Sequence, residues 1–164
     1  MSRLPFALFS MLIISCALAI SSPSAAPSSL HIADAKRVIK VFAVTMPGGG
    51  RHQNPPAGIA GDVVTGSDRL RNAVAQFGKP KGAVVGVDRN RTVFETAAVA
   101  SVVATTTLPG GTLRSRGRAD FRLASNLIRV VGGTGVFLGA RGTVEQKVLA
   151  GNKAMNIYRL RLPS

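Results

Sequence analysis

The sequence predicts an all-β protein, an eight-stranded antiparallel up-and-down barrel, on three observations. Glycine and proline punctuate the chain from residue 47 onward, and β-branched residues cluster between the breaks. No stretch repeats apolar residues with the period of a helix. The intervals between the clusters are mostly short enough to be hairpin turns, and closing such a meander on itself removes its exposed edges.

In chain order, the clusters predict strands over residues 37–46, 62–67, 82–88, 93–107, 112–123, 127–131, 140–149 and 155–162. The strand beginning at Thr112 alternates cleanly, with Arg114, Arg116, Arg118, Asp120 and Arg122 on one face and Leu113, Ser115, Gly117, Ala119 and Phe121 on the other. Its small packed residues would leave room inside a barrel, and eight strands form about the smallest barrel able to hold one small ligand. Arg159 and Arg161 repeat the pattern opposite Tyr158, Leu160 and Leu162. Residues 99–104 are apolar on both faces, which predicts cover by a second subunit in a dimer or trimer. Residues 50–58 are a proline-rich loop, and a tight corner is expected at Gly132-Gly133-Thr134-Gly135.

Residues 1–26 have the character of a secretory signal peptide. Arg3 precedes an apolar run from Phe6 to Ile20, and small residues follow up to Ala26. That run is short of the roughly 20 residues that span a bilayer comfortably. Residues 27–35 read as a flexible leader and 36–164 as a single domain, so the expected localisation is extracellular, the apoplast if the source is a plant. Cys16, the only cysteine, lies within the signal segment, so the mature chain has no disulfide or thiol chemistry.

With Arg3 set aside, 20 basic residues face 7 acidic ones, a net charge of +13. Such a charge favours an anionic partner. With no Trp and a single Tyr, the chain lacks the aromatics that stack nucleobases. For a secreted chain the expected anion is therefore an acidic wall or capsular polysaccharide, with neither nucleic acid nor a membrane span as partner. His31 and His52 have no second ligand at metal spacing, so no metal and no cofactor is assigned. There is no phosphate loop and no Gly-x-Ser-x-Gly elbow. Asn90-Arg91-Thr92 is a glycosylation sequon in an expected turn, meaningful in a eukaryotic source.

Residues 130–142, VVGGTGVFLGARG, followed by the alternating YRLRL of residues 158–162, resemble the C-terminal half of dirigent proteins and of the wider allene oxide cyclase-like, calycin-like barrels. Gly61-Asp62-Val63-Val64-Thr65-Gly66-Ser67-Asp68 is similar to the family's GDLVVFDD-type strand, with Ser67 in place of an acid. Residues 108–121 are similar to the family's next hairpin. The resemblance implies a barrel that binds an organic intermediate, expected to be phenolic, and directs its coupling or cyclisation with no redox centre of its own.

On that resemblance Arg141 is expected in the pocket and Phe137 as part of its wall. Asp62 and Asp68, six apart on one strand face, are the candidate carboxylates. Burial would raise the pKa of either one, fitting it to hold a phenol or act as a general acid. The residues themselves equally allow a turn cap or an ion pair with an arginine. Val136 departs from the family pattern, which usually has aspartate directly after GGTG in members that steer phenoxy-radical coupling. The alternatives are an allene oxide cyclase-like isomerase, disfavoured by the secretory leader and by the lack of that family's pocket cysteine in the mature chain, and a cationic extracellular module for anionic polymer.

Overall fold

The computed structural model describes residues 35–47, 51–52 and 59–163. The expected signal peptide, most of the leader and His31 lie outside the described residues, as does most of the proline-rich loop. The described residues form nine strands: β1 (Ala35–Thr45), β2 (Arg51–His52), β3 (Val63–Asn72), β4 (Val84–Phe94), β5 (Val99–Leu108), β6 (Gly111–Asp120), β7 (Ser125–Gly133), β8 (Arg141–Val148) and β9 (Lys153–Leu162). Sequential antiparallel neighbours run from β3 to β9, β1 pairs with both β9 and β3, and the eight long strands thereby close a barrel. The two-residue β2 lies against Val64 and Thr65 of β3. The one helical element among the described residues is a 3-10 turn, Gly135–Phe137. The all-β barrel expected from the sequence is the fold observed.

Several element boundaries differ from expectation: β3 runs on to Asn72 where an end at residue 67 is expected, and two further differences have a local cause. β4 runs straight through Asn90-Arg91-Thr92, where a turn was expected, because these residues pair in unbroken register with Gly66, Thr65 and Val64 of β3. The long strand expected over 93–107 is broken at residues 95–98. There the Glu95 N–H reaches the Val99 carbonyl at 2.8 Å, and the Thr96 hydroxyl oxygen accepts from the Ala98 and Val99 N–H groups at 3.3 and 3.1 Å. A threonine that satisfies the backbone locally competes with the sheet ladder, and a hairpin results.

The barrel has an apolar half and a polar half. At one end Ile39, Val41, Leu70, Leu113, Val130 and Leu160 point inward and pack with Phe137. Phe137 is fully buried, and the Arg37 guanidinium lies 5.1 Å from its ring centre and 5.3 Å from that of Phe77. The GGTG corner plugs this end: the Val136 N–H donates to the Gly110 carbonyl (2.9 Å) and the Thr134 N–H to that of Thr112 (2.9 Å). The opposite end is the mouth, rimmed by the β4–β5, β6–β7 and β8–β9 hairpins, where Phe94 and Phe121 stack with centroids 5.5 Å apart.

The doubly apolar segment resolves by strand parity. Ala100, Val102 and Ala104 face inward, and the exposed Val103 sits between Arg91 and Arg116 on the neighbouring strands. One valine flanked by two guanidinium groups is not an apolar patch in need of cover, so the expected subunit contact does not follow from this face.

Candidate functional site

The interior opens into a cavity of about 170 Å³, lined among others by Asp88, Asn90, Ser115, Ile128, Asn156 and Tyr158, with Phe121 at its mouth. Two inward glycines help keep the space. A Cβ on Gly66 would come within 2.6 Å of the Asn90 carboxamide, and one on Gly117 would meet Ile128 at 3.4 Å. Gly66 occupies the aromatic position of the GDLVVFDD-type segment, so a glycine here leaves room that a ring would fill.

The chemically distinctive group is Asp88, on the inward face of β4 and 6% exposed. The Thr106 hydroxyl of β5 donates to its carboxylate, and the Tyr158 hydroxyl of β9 lies 3.0 Å from the Thr106 oxygen. With the single Thr106 proton committed to Asp88, Tyr158 must be the donor to Thr106. The three side chains form a relay, Tyr158 to Thr106 to Asp88. Asp68 of β3 is the direct cross-strand partner of Asp88, and both face inward.

Burial pushes the Asp88 carboxyl up to about 6, and the Asp68 charge pushes the same way, while hydrogen bonds from Thr106 and Asn90 partly offset them. Asp68 is also raised by burial, against a hydrogen bond with Thr45. Tyr158 is pushed far above its ordinary range by complete burial and then by the nearby Asp88 charge. No lysine or arginine lines the cavity among the described residues. The arrangement therefore offers a carboxyl that changes protonation near mild acid and a phenol that stays a hydrogen-bond donor.

The residues singled out from sequence fare differently. Asp68 pairs with Asp88 across the strands but is not among the cavity-lining residues, lying at a separate recess with Thr45, Gln146 and Lys153. Asp62 is fully buried just before β3, where its backbone hydrogen-bonds Ile59 (3.0 Å) and Phe94 (2.9 Å), and it is not among the cavity-lining residues. Phe137 packs the closed end and does not form the cavity wall.

Arg141 was expected to point into the pocket and instead stands on the outer surface, where its Nη1 donates to the carbonyls of Val131 (2.6 Å) and Ala140 (3.0 Å). Register explains the reversal. β8 pairs with β9 without a break, with Gly142 opposite the buried Leu160 and Val144 opposite the buried Tyr158, so Arg141, opposite Arg161, falls on the other, outward face. Val136 is exposed beside Gly110, away from the cavity, so the valine-for-aspartate change alters the closed end. Asn90, expected as a glycosylation site in a turn, lies mid-strand with its carboxamide facing the cavity.

Sequence reasoning missed Asp88, Thr106 and Tyr158. A signal for the first is present: Asp88, Asn90 and Thr92 alternate on one face and so imply a polar inward stripe, which the sequon read as a turn conceals. Nothing in the sequence could pair Asp88 with residues 18 and 70 positions along the chain.

The barrel is similar to several solved structures. The pterocarpan synthase dirigent protein GePTS1 shares 20% identity and a TM-score of 0.66, over 89% of this chain and 100% of that one. A pyocyanin demethylase matches with 19% identity and a TM-score of 0.61, over 76% and 99%. The exo-specific intermolecular Diels-Alderase AbnU matches with 15% identity and a TM-score of 0.59, over 77% and 97%. No curated protein matches by sequence. These identities establish the fold and no more. A family model described as dirigent-like protein matches residues 24–162, nearly the whole chain. With the closed barrel and the GGTG corner already in place, this chain belongs to the dirigent family.

Proposed function

We propose that this chain is a secreted barrel that takes one ring of a phenolic intermediate into its cavity and directs which face forms the next bond. The oxidant is external to the protein. The observation that carries this reading is the cavity of about 170 Å³ ending on the Asp88–Thr106–Tyr158 relay. A cavity of about 150 Å³ can hold benzene, so one ring enters and the rest of the ligand extends past Phe94 and Phe121. That size disfavours the fatty-acid epoxide of an allene oxide cyclase-like isomerase. The similar folds named pterocarpan synthase and Diels-Alderase support a bond-forming role.

In the proposed reaction a one-electron oxidant takes one electron from each of two phenols, and each phenol releases one proton. The two phenoxy radicals join through a bond between their side-chain carbons to give a dimer in which each half is a quinone methide. On each half a side-chain hydroxyl then adds to the methide carbon while the methide oxygen becomes a phenol. Asp88 accepts the proton of the attacking hydroxyl and returns one to the methide oxygen, so this last step consumes no net proton. A carboxyl poised near 6 suits both transfers. Positioning of the bound ring decides the stereochemistry.

The test is coupling of coniferyl alcohol by an external one-electron oxidant. Wild type is expected to give a clear enantiomeric excess. Asp88→Asn should reduce steered product by about a hundredfold, at the low end of general acid–base contributions, whereas Arg141→Ala on the outer surface should keep the excess. A racemic wild-type product, or an excess that survives in an Asp68→Asn/Asp88→Asn double variant, overturns the assignment.

A further inference from the structure

The outer wall carries a feature the cavity does not use. Strand register sets two adjacent rows of cations across the barrel. One row holds Arg89 on β4, Arg114 on β6, Arg141 on β8, Arg161 on β9 and Lys36 on β1, with Thr105 between the first two. The next row holds Arg91, Arg116, Arg129 and Arg159, with Val103 and Thr143 filling the gaps. All nine cations are exposed.

Three pairs of like charge are direct cross-strand neighbours: Lys36 with Arg161, Arg161 with Arg141, and Arg116 with Arg129. Such pairs destabilise a sheet. Among these nine only Arg159 has a carboxylate partner, Glu145 at 3.0 Å, and Glu145 also holds Lys147 at 3.2 Å. The other outward acids, Glu95 and Asp120, pair with Arg118 and Arg122, off both rows. Scattered charge would provide solubility without this repulsion. Arg141 is also held in place by its two backbone acceptors, beside a shallow groove lined by Val38, Leu127 and Thr143.

We propose that this belt binds an acidic polysaccharide with carboxylate-bearing sugar units, laid across the strands. Lys36, Arg161 and Arg141 repeat at the strand separation of about 4.8 Å, a match for a chain carrying one carboxylate per sugar ring. The planar fork of arginine suits carboxylate. The belt spans the strands from β4 through β9 to β1, so it follows the curvature of the wall. A rigid duplex or a flat bilayer would touch only the strands facing it, whereas a flexible chain can follow. Single-stranded nucleic acid would need aromatic platforms, and the outward positions of these two rows contain none.

Binding of the full chain to polygalacturonate, measured as a function of salt, tests the proposal. The Arg141→Gln/Arg161→Gln and Arg116→Gln/Arg129→Gln pairs should each weaken binding about tenfold or more. Each should lower the slope of log affinity against log salt by about two, one per lost contact. An Arg122→Gln/Lys81→Gln pair removes equal charge off both rows and should weaken binding less than about threefold. Removing like-charge neighbours should leave the thermal midpoint unchanged or raised, and two belt pairs guard against one misfolding. Coniferyl alcohol binding should be untouched in every variant, so this test and that of the cavity can fail separately. Three results would overturn the proposal: equal losses in belt and control pairs, tighter binding of duplex DNA or phosphatidylserine vesicles at matched charge, or a belt pair that changes the sedimenting species.

Discussion

Asp88→Asn should make the protein more stable at neutral pH, by about 2 kcal/mol, while removing its steering function. The sign follows from linkage. The Asp88 carboxyl is raised from 3.8 to about 6 by burial. Between about pH 4 and about pH 6 the folded state thus binds more protons than the unfolded one, and stability falls as pH rises through that window. At about 1.4 kcal/mol per unit, the shift corresponds to about 3 kcal/mol lost by neutrality. Asparagine cannot ionise, yet its carbonyl oxygen can still accept from Thr106, so most of that loss is recovered. The raised carboxyl of Asp68 acts in the same direction and leaves a residual slope in the variant. Chemical denaturation of both proteins from pH 4 to 8 checks this. Parallel curves would mean that Asp88 is not held in the low-dielectric site described. A gain in stability paired with lost function would mark a group kept for chemistry at a structural cost.

Gly135→Ala should destabilise the fold by about 3 kcal/mol or more. Gly135 has φ +59°, in the left-handed region, and an added Cβ would fall 2.0 Å from the Gly110 carbonyl oxygen. The clash is with backbone on both sides, so no side-chain rotation relieves it. It would part the GGTG corner from the β5–β6 turn and open the closed end above Phe137. Gly82→Ala is the matched control, with φ +84° and nothing within 4 Å of the added atom. It carries the backbone strain alone and should cost about 1 kcal/mol. Urea midpoints of the two variants separate these effects, and equal midpoints would show that the corner yields to the extra methyl.

The sequence by itself determined the barrel and much of its wall. Alternation over residues 111–120 sorted Leu113, Ser115 and Ala119 from Arg114, Arg116 and Arg118, and the structure keeps that division with the arginines outside. The GGTG glycines marked a corner, since positive φ beside a close backbone neighbour leaves no other residue at Gly135.

Closure of the barrel decided the site. Alternation defines two faces of a strand, but where both are polar, as for Asp88 and Arg89, it does not say which one is inside. Register opposite β3 and β5 turned Asp88 inward beside Asp68 and Thr106, and the far end of the chain supplied Tyr158. Arg141 shows the same physics in reverse. Its position in the ARG passage pointed to the pocket, yet the pairing of β8 with β9 sets it opposite Arg161 and leaves its side chain on the outer wall. Local sequence fixes periodicity, whereas the inside of a barrel exists only once its first and last strands have paired.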